Sequence, residues 1–280
     1  CRRAAALPSI PVAARRRTNA GSVGARISTV SSLPAPGHRL FLSVPVHDVT
    51  YAETLDWIEC AVAAGEPCQL CTVNPEFVMA AQKHAQFRRV LQSADLCLPD
   101  GQGLLWAARW RGIALRERVA GSTLLGLLAG SAATHGWRMF FLGAAPGVAA
   151  RAAAILEQKH PGLLKIETME AGPHPEQAGQ IIERVRAARA NILLVAFGAP
   201  TQELWIDRYR DDLRVPVMMG VGGAFDFVAG VTPRAPLWAQ RLGLEWLHRL
   251  WMQPWRWQRM LALPRFAWAI LIRSNAVRTA

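Results

Sequence analysis

Five apolar runs in this 280-residue sequence end in residue types that can do chemistry. CQLCTV carries Thr72 and leads into Asn74-Pro75-Glu76, while ADLCLP leads into Asp100-Gly101-Gln102-Gly103. RMFFLG ends at Gly143, ILLVAFG is followed by Ala199-Pro200-Thr201-Gln202-Glu203, and PVMMGVGG by Ala224-Phe225-Asp226. Glycines let backbone amides approach a phosphate, and helix N-termini supply partial positive charge, so the pattern suits a phosphorylated ligand. Each residue also has a plainer reading. Thr72 and Asn74 could cap a helix, Asp100 before glycine could form a turn, and Asp226 could be structural. No loop matches GxGxxG, no G-x-S-x-G elbow is present, and the seven histidines lack zinc-ligand spacing. From the residues alone this is an α/β enzyme for a phosphate-bearing ligand, with the reaction left open.

The elements that must position these residues are short apolar strands alternating with helices. RLFLSV reads as a strand, and Thr50 with Glu53 forms a capping box for a helix through Ala64. CQLCTV is a second strand, and Asn74-Pro75 reads as an N-cap with proline in the first helical turn. ADLCLPDG gives a short strand ending in a glycine turn. Helices are expected at Ser122–His135 before the strand RMFFLG, at Pro146–Lys159 after it, and at Thr201–Asp212 between ILLVAFG and PVMMGVGG. The alternation predicts a Rossmann-like, doubly wound, mainly parallel sheet, with ligands beyond the carboxyl ends of its strands.

Charge divides the chain more sharply than hydropathy does. The net charge is +12: residues 1–40 hold seven arginines and no acid, residues 234–280 hold eight arginines against Glu245, and residues 41–233 sum to −2. Residues 1–38 read as a flexible basic tail, and residues 39–233 as the α/β core. The acid-free start also resembles an organelle transit peptide, and the initial Cys1 suggests a fragment or a processed numbering. Residues 234–280 read as a basic helical appendage in which six of the eleven tryptophans are interleaved with arginine. That mixture suits a membrane interface, although an amphipathic helix packed on its own core would also carry it. Cys68-x-x-Cys71 lies within an apolar strand and lacks a second pair, so its thiols are expected to be buried and reduced. No run of about 18 apolar residues offers a membrane-spanning helix.

Eight short motifs follow one another in a single order. They are Thr72-Val73-Asn74-Pro75-Glu76, Leu98-Pro99-Asp100-Gly101-x-Gly103, Glu117-Arg118-Val119-x-Gly121 and Phe141-Leu142-Gly143, then Phe197-Gly198-x-Pro200-x-Gln202-Glu203, Gly220-Val221-Gly222-Gly223-x-Phe225-Asp226, Arg234-Ala235-Pro236 and Glu245-Trp246-x-x-Arg249. Over about residues 40–265 this resembles the WecG/TagA/CpsF family of bacterial glycosyltransferases, glycosyltransferase family 26. One departure is Thr201, where the family usually has lysine.

The resemblance implies an inverting, metal-independent and cofactor-free transfer from a UDP-sugar to a polyprenyl-pyrophosphate-linked saccharide. The donor sugar would be N-acetylmannosamine, its uronic acid or glucose, and the site would lie on the cytoplasmic face of the bacterial cell membrane. It assigns Asp100 as the base, and Thr72 and Asn74 to the sugar. Arg118 and Gln202 would bind substrate, with Gly143 and Asp226 also in the site, and Arg249, Arg256 and Arg259 would hold the pyrophosphates. An anionic membrane surface would be a partner, and the oligomeric state stays open, since the appendage could be stabilised by self-association in a homo-oligomer or by membrane. A nucleotide-dependent oxidoreductase and a nucleic-acid-binding protein are the other readings, and neither a glycine fingerprint nor a recognition motif supports them.

Overall fold

The computed structural model describes residues 36–279 except 234, 237, 238, 240–244, 253, 255, 256, 274 and 275, and leaves the side chains of 245 and 249 undescribed. The proposed tail at 1–38 thus lies almost wholly outside the described residues.

Six strands form one parallel sheet: β3 (Cys68–Val73), β4 (Leu96–Pro99), β5 (Met139–Gly143), β6 (Glu167–Met169), β7 (Ile192–Ala196) and β8 (Val217–Gly220). Their order is β4-β3-β8-β7-β5-β6. The connecting helices are α1 (Tyr51–Ala64), α2 (Pro75–Lys83), α3 (Ala85–Ser93), α4 (Gln102–Trp110), α5 (Gly121–His135) and α6 (Val148–Lys159). After them come α7 (Pro175–Ala187), α8 (Thr201–Leu213) and the short α9 (Ala224–Val228). The fold is the expected α/β, Rossmann-like arrangement with a C-terminal helical region.

Side chains alternate across the strands, and both faces are covered, which is why the strands read as unbroken apolar runs. In β3, Cys68 and Leu70 join the cluster of Trp57, Leu124 and Phe141, while Cys71 and Val73 join that of Phe77, Leu91 and Leu104. The two thiols of the C-x-x-C therefore face opposite layers and are free and buried. Burial pushes the Cys68 thiol up to about 11 and raises that of Cys71 as well, so both stay protonated.

The capping box of α1 forms: Glu53 N donates to Thr50 Oγ1 at 3.2 Å, and Thr50 N donates to Glu53 Oε2 at 2.9 Å. RLFLSV departs from expectation. It is a hairpin of β1 (His38–Phe41) and β2 (Val44–His47), turning through Leu42 at φ 47° and Ser43 at φ 75°. Leu42 is buried at that turn, so packing overrides the usual glycine or asparagine.

The C-terminal region holds α10 (Glu245–Met252), α11 (Trp257–Met260), α12 (Ala262–Ile272) and β9 (Val277–Thr279). β9 pairs antiparallel with β1, and α12 packs on α2 and α4. Phe266, Ile270 and Val277 share one buried cluster with Phe41, Phe77 and Leu104.

Candidate active site

β3 and β4 pair with Thr72 beside Leu98 and Val73 beside Pro99, and Asp100 N donates to Val73 O at 2.7 Å. Asp100 is thereby fixed at the carboxyl edge of the sheet, next to the loop that carries Asn74. Gly101 follows at φ 95°, a conformation open to glycine and strained for other residues. A Cβ on Gly103 would come within 2.9 Å of Pro75 Cγ, so α4 begins hard against α2. Asn74 is the expected N-cap, its Oδ1 accepting from Phe77 N at 2.9 Å.

Arg118 reaches the same place through a loop anchored on three sides. Val119 N donates to Pro99 O at 2.8 Å, Tyr51 N donates to Glu117 Oε2 at 2.9 Å, and Ala120 N donates to Tyr51 Oη at 2.8 Å. Burial raises the Tyr51 phenol; the Asp100 charge adds to this, against hydrogen bonds with Thr123 and Ala120 and the charge of Arg118. Tyr51 therefore stays neutral, within electrostatic reach of both Asp100 and Arg118.

These elements enclose an open cavity of about 640 Å³, a volume typical of ligand sites. Thr72, Asn74, Asp100 and Arg118 all line it, together with Glu76 and Ser122. Val221, Gly223 and Ala224 close the β8 side. Four of the expected site residues are thus brought together at the ends of β3 and β4 and in the loop before α5.

Gln202 is placed differently. Its Oε1 accepts from Gly198 N at 3.1 Å and from Gly222 N at 3.0 Å, while its Nε2 donates to Glu203 Oε1 at 2.7 Å. It is buried behind the cavity wall, tying the loops after β7 and β8 to each other. A Cβ on Gly220 would lie 2.5 Å from Gln202 Nε2 and 2.6 Å from Glu203 Oε1, so this clamp requires glycine there. Burial pushes the Glu203 carboxyl up to about 7, against the Gln202 hydrogen bond and the charge of Arg259.

Gly143 and Asp226 also lie off the cavity wall. Gly143, at φ 87°, packs against the Phe197 ring at the end of β5, which β7 separates from β8. Asp226 sits in α9 with its carbonyl accepting from Val231 N at 2.9 Å and Thr232 N at 3.2 Å. Thr201 opens α8 and is exposed. Arg259 forms an ion pair with Glu76, Nη2 to Oε2 at 2.8 Å, and borders a neighbouring cavity of about 240 Å³ with Lys83 and Arg265. The side chain of Arg249 and the whole of Arg256 lie outside the described residues.

The sequence reading assigned no role to Glu76, Ser122, Tyr51, Trp106 or Trp110. Glu76 could have been noticed as an acid in the first turn of α2. Trp106 and Trp110, four residues apart, mark one helical face.

A parallel α/β sheet with a carboxylate, a guanidinium and two hydrogen-bonding side chains in one cavity beyond its strand ends defines a ligand-binding enzyme of the doubly wound class. Residues 39–279 match the Glycosyl transferase WecG/TagA/CpsF family, and the chain belongs to it. Over 210 residues it is 35% identical to an N-acetylglucosaminyldiphosphoundecaprenol N-acetyl-beta-D-mannosaminyltransferase of Bacillus subtilis (strain 168), covering 75% of this chain and 81% of the relative. A protein of the same description from Bacillus spizizenii (strain ATCC 23059 / NRRL B-14472 / W23) is 35% identical over 207 residues, 74% of this chain and 80% of that one. The chain is a glycosyltransferase.

Proposed function

We propose that the protein transfers a sugar of the N-acetylmannosamine class from a UDP-sugar to a polyprenyl-diphosphate-linked saccharide at the cytoplasmic membrane face. The observation that carries this reading is the shared cavity wall of Asp100, Arg118, Thr72 and Asn74. The acceptor follows from the names of the relatives, both of which act on N-acetylglucosaminyldiphosphoundecaprenol. In the reaction the acceptor hydroxyl oxygen attacks the anomeric carbon and its proton passes to the Asp100 carboxylate. The bond from that carbon to the donor phosphate breaks, UDP leaves with the electron pair, and the anomeric centre inverts.

Thr72 and Asn74 hold the sugar beside Asp100. Among the described residues of the wall, Arg118 is the cation, and it is positioned to offset the charge of the leaving diphosphate. Gln202 contributes by fixing the wall rather than by touching the donor, since its carbonyl already serves two backbone amides. Arg259 has to exchange Glu76 for a phosphate if it is to reach the acceptor. The test is Asp100→Asn, which keeps the shape and removes the base. Turnover is expected to fall about 10²–10⁴-fold, with donor affinity little changed. Near-normal turnover would overturn the assignment.

A further inference from the structure

One side of the cavity is unlike the rest. From Asp100 outward, α4 presents Gly103, Trp106, Ala107 and Trp110 to it, a spacing of i, i+3, i+4 and i+7 that forms a single stripe. Opposite, α12 presents Leu263, Ala267, Ile270 and Leu271, again along one face. The two helices are pinned at their far ends, where the Arg111 guanidinium donates to the carbonyls of Ile270 and Arg273. None of these lining side chains is charged, so this part of the cavity offers no counter-charge to a diphosphate. Its outer end is open and apolar: Trp110 is 70% exposed and Leu271 52%. Exposed apolar groups of this size mark a surface that meets a lipid or a partner.

We infer that the groove between α4 and α12 binds the first prenyl units of the acceptor lipid, with the diphosphate at the Asp100 end. This rests on the acceptor class proposed above. Both relatives act on an acceptor that carries a long apolar chain directly on its diphosphate, so a site for the sugar and diphosphate leaves the adjoining chain to be accommodated. The groove starts at the cavity wall that holds Asp100 and runs about 12 Å along α4 to Trp110, at 1.5 Å per residue. A prenyl chain is apolar throughout and needs no hydrogen-bonding partner, which matches walls of indole and aliphatic carbon.

The test uses the full-length protein in vesicle-free buffer with diphosphate-linked sugar acceptors bearing one, two or three isoprene units. Burying one methylene is worth about a fourfold gain in binding, so kcat/KM is expected to rise at least about tenfold from the shortest chain to the longest. Ala267→Trp, which fills the groove, and Trp110→Ala, which removes its outer wall, should cut that ratio to about twofold or less. Leu164→Ser, at an exposed position between α6 and β6, should leave the ratio as it is. A length dependence unchanged in Ala267→Trp and Trp110→Ala overturns the groove. Failure of every acceptor at every length would instead count against the proposed acceptor class. Photo-crosslinking of the unaltered protein with a diazirine-bearing prenyl diphosphate reads the groove without turnover. Label on α4 and α12 peptides supports it, and label confined to peptides bearing Trp251 or Trp257 overturns it.

Discussion

At Asn74 one amide serves two ends. Its Oδ1 caps α2 through Phe77 N, and its side chain stands in the cavity wall. Asn74→Ala is expected to cost about 1 kcal/mol of stability as a lost cap, besides lowering transfer. Asn74→Asp keeps the cap oxygen and removes the amide donor, so its melting temperature should stay near normal while kcat/KM falls. Normal transfer by the Asp variant would exclude the amide nitrogen from sugar binding. A second residue-scale device is His47, whose Nδ1 accepts from Cys97 N at 2.9 Å. Burial, then the nearby His38, lower its pKa from 6.5 to about 4, against a hydrogen bond with Cys97. Between those values the unfolded chain binds a proton that the folded chain refuses, so stability falls as pH drops through that window, by up to about 3 kcal/mol. Glu203 acts in the opposite direction, because its folded pKa of about 7 lies above the ordinary 4.5 and its contribution is lost as pH rises between them. The two must be separated by difference: His47→Gln should remove the acid-side loss, read from denaturant melts of both proteins at pH 7 and pH 5.

Among the elements, the β1–β2 turn is the clearest site for improvement. Ser43 is exposed at φ 75°, where an L-residue is strained by about 1–2 kcal/mol, and its carbonyl contact with Gln92 needs no side chain. Ser43→Gly should therefore gain roughly 0.5–1 kcal/mol, measured as a shift in denaturant midpoint at constant slope. The same turn shows where sequence reasoning stops. Leu42-Ser43 carries no turn signature, and only the burial of Leu42 explains why the chain reverses there. The strands of the large sheet and the caps at Thr50 and Asn74 were legible because their signals are local: apolar runs, a Ser/Thr-x-x-Glu pair, an Asn-Pro step. Their lateral order was not. Nothing in the sequence places β8 beside β3 and puts β7 between β8 and β5, and it is this order that brings Asp100, Thr72 and the β8 loop together and leaves Gly143 aside. Gln202 follows a strand end as the donor residues do, and only its bonds to Gly198 and Gly222 distinguish a clamp from a contact.

For the whole molecule, the question is how a chain with no helix long and apolar enough to cross a membrane, among the described residues, would meet the lipid-linked acceptor proposed for it. Trp110, Trp251, Trp257 and Trp268 are all more than half exposed, and in sequence residues 234–280 hold eight arginines against one acid. Arginines near an anionic surface attract it within a screening length of about 10 Å at 0.1 M salt, while indoles bind at the headgroup level regardless of salt. Flotation with anionic vesicles should therefore weaken but persist as salt rises, and Trp251→Ser with Trp268→Ser should clearly reduce the salt-resistant share. Full retention of that share by the double variant would remove Trp251 and Trp268 from the contact. Truncation before Arg234 is the wrong tool for this question. It strips Phe266, Ile270 and Val277 from a cluster shared with β1 and α2, each worth about 1.5–3 kcal/mol when buried. The truncated chain is expected to melt far below the full-length protein, as calorimetry would show.

The pairing of β9 with β1 also sets a clock. Among the described residues, two of the buried clusters draw on nothing beyond Ala229, so they can close before the C-terminal region is in place. The third is complete only when Val277 pairs with Phe41, more than two hundred residues upstream. That cluster underlies α2 and α4, the helices that frame Asn74 and Asp100. The helices that frame the candidate site therefore complete their packing only when β9 has docked on β1.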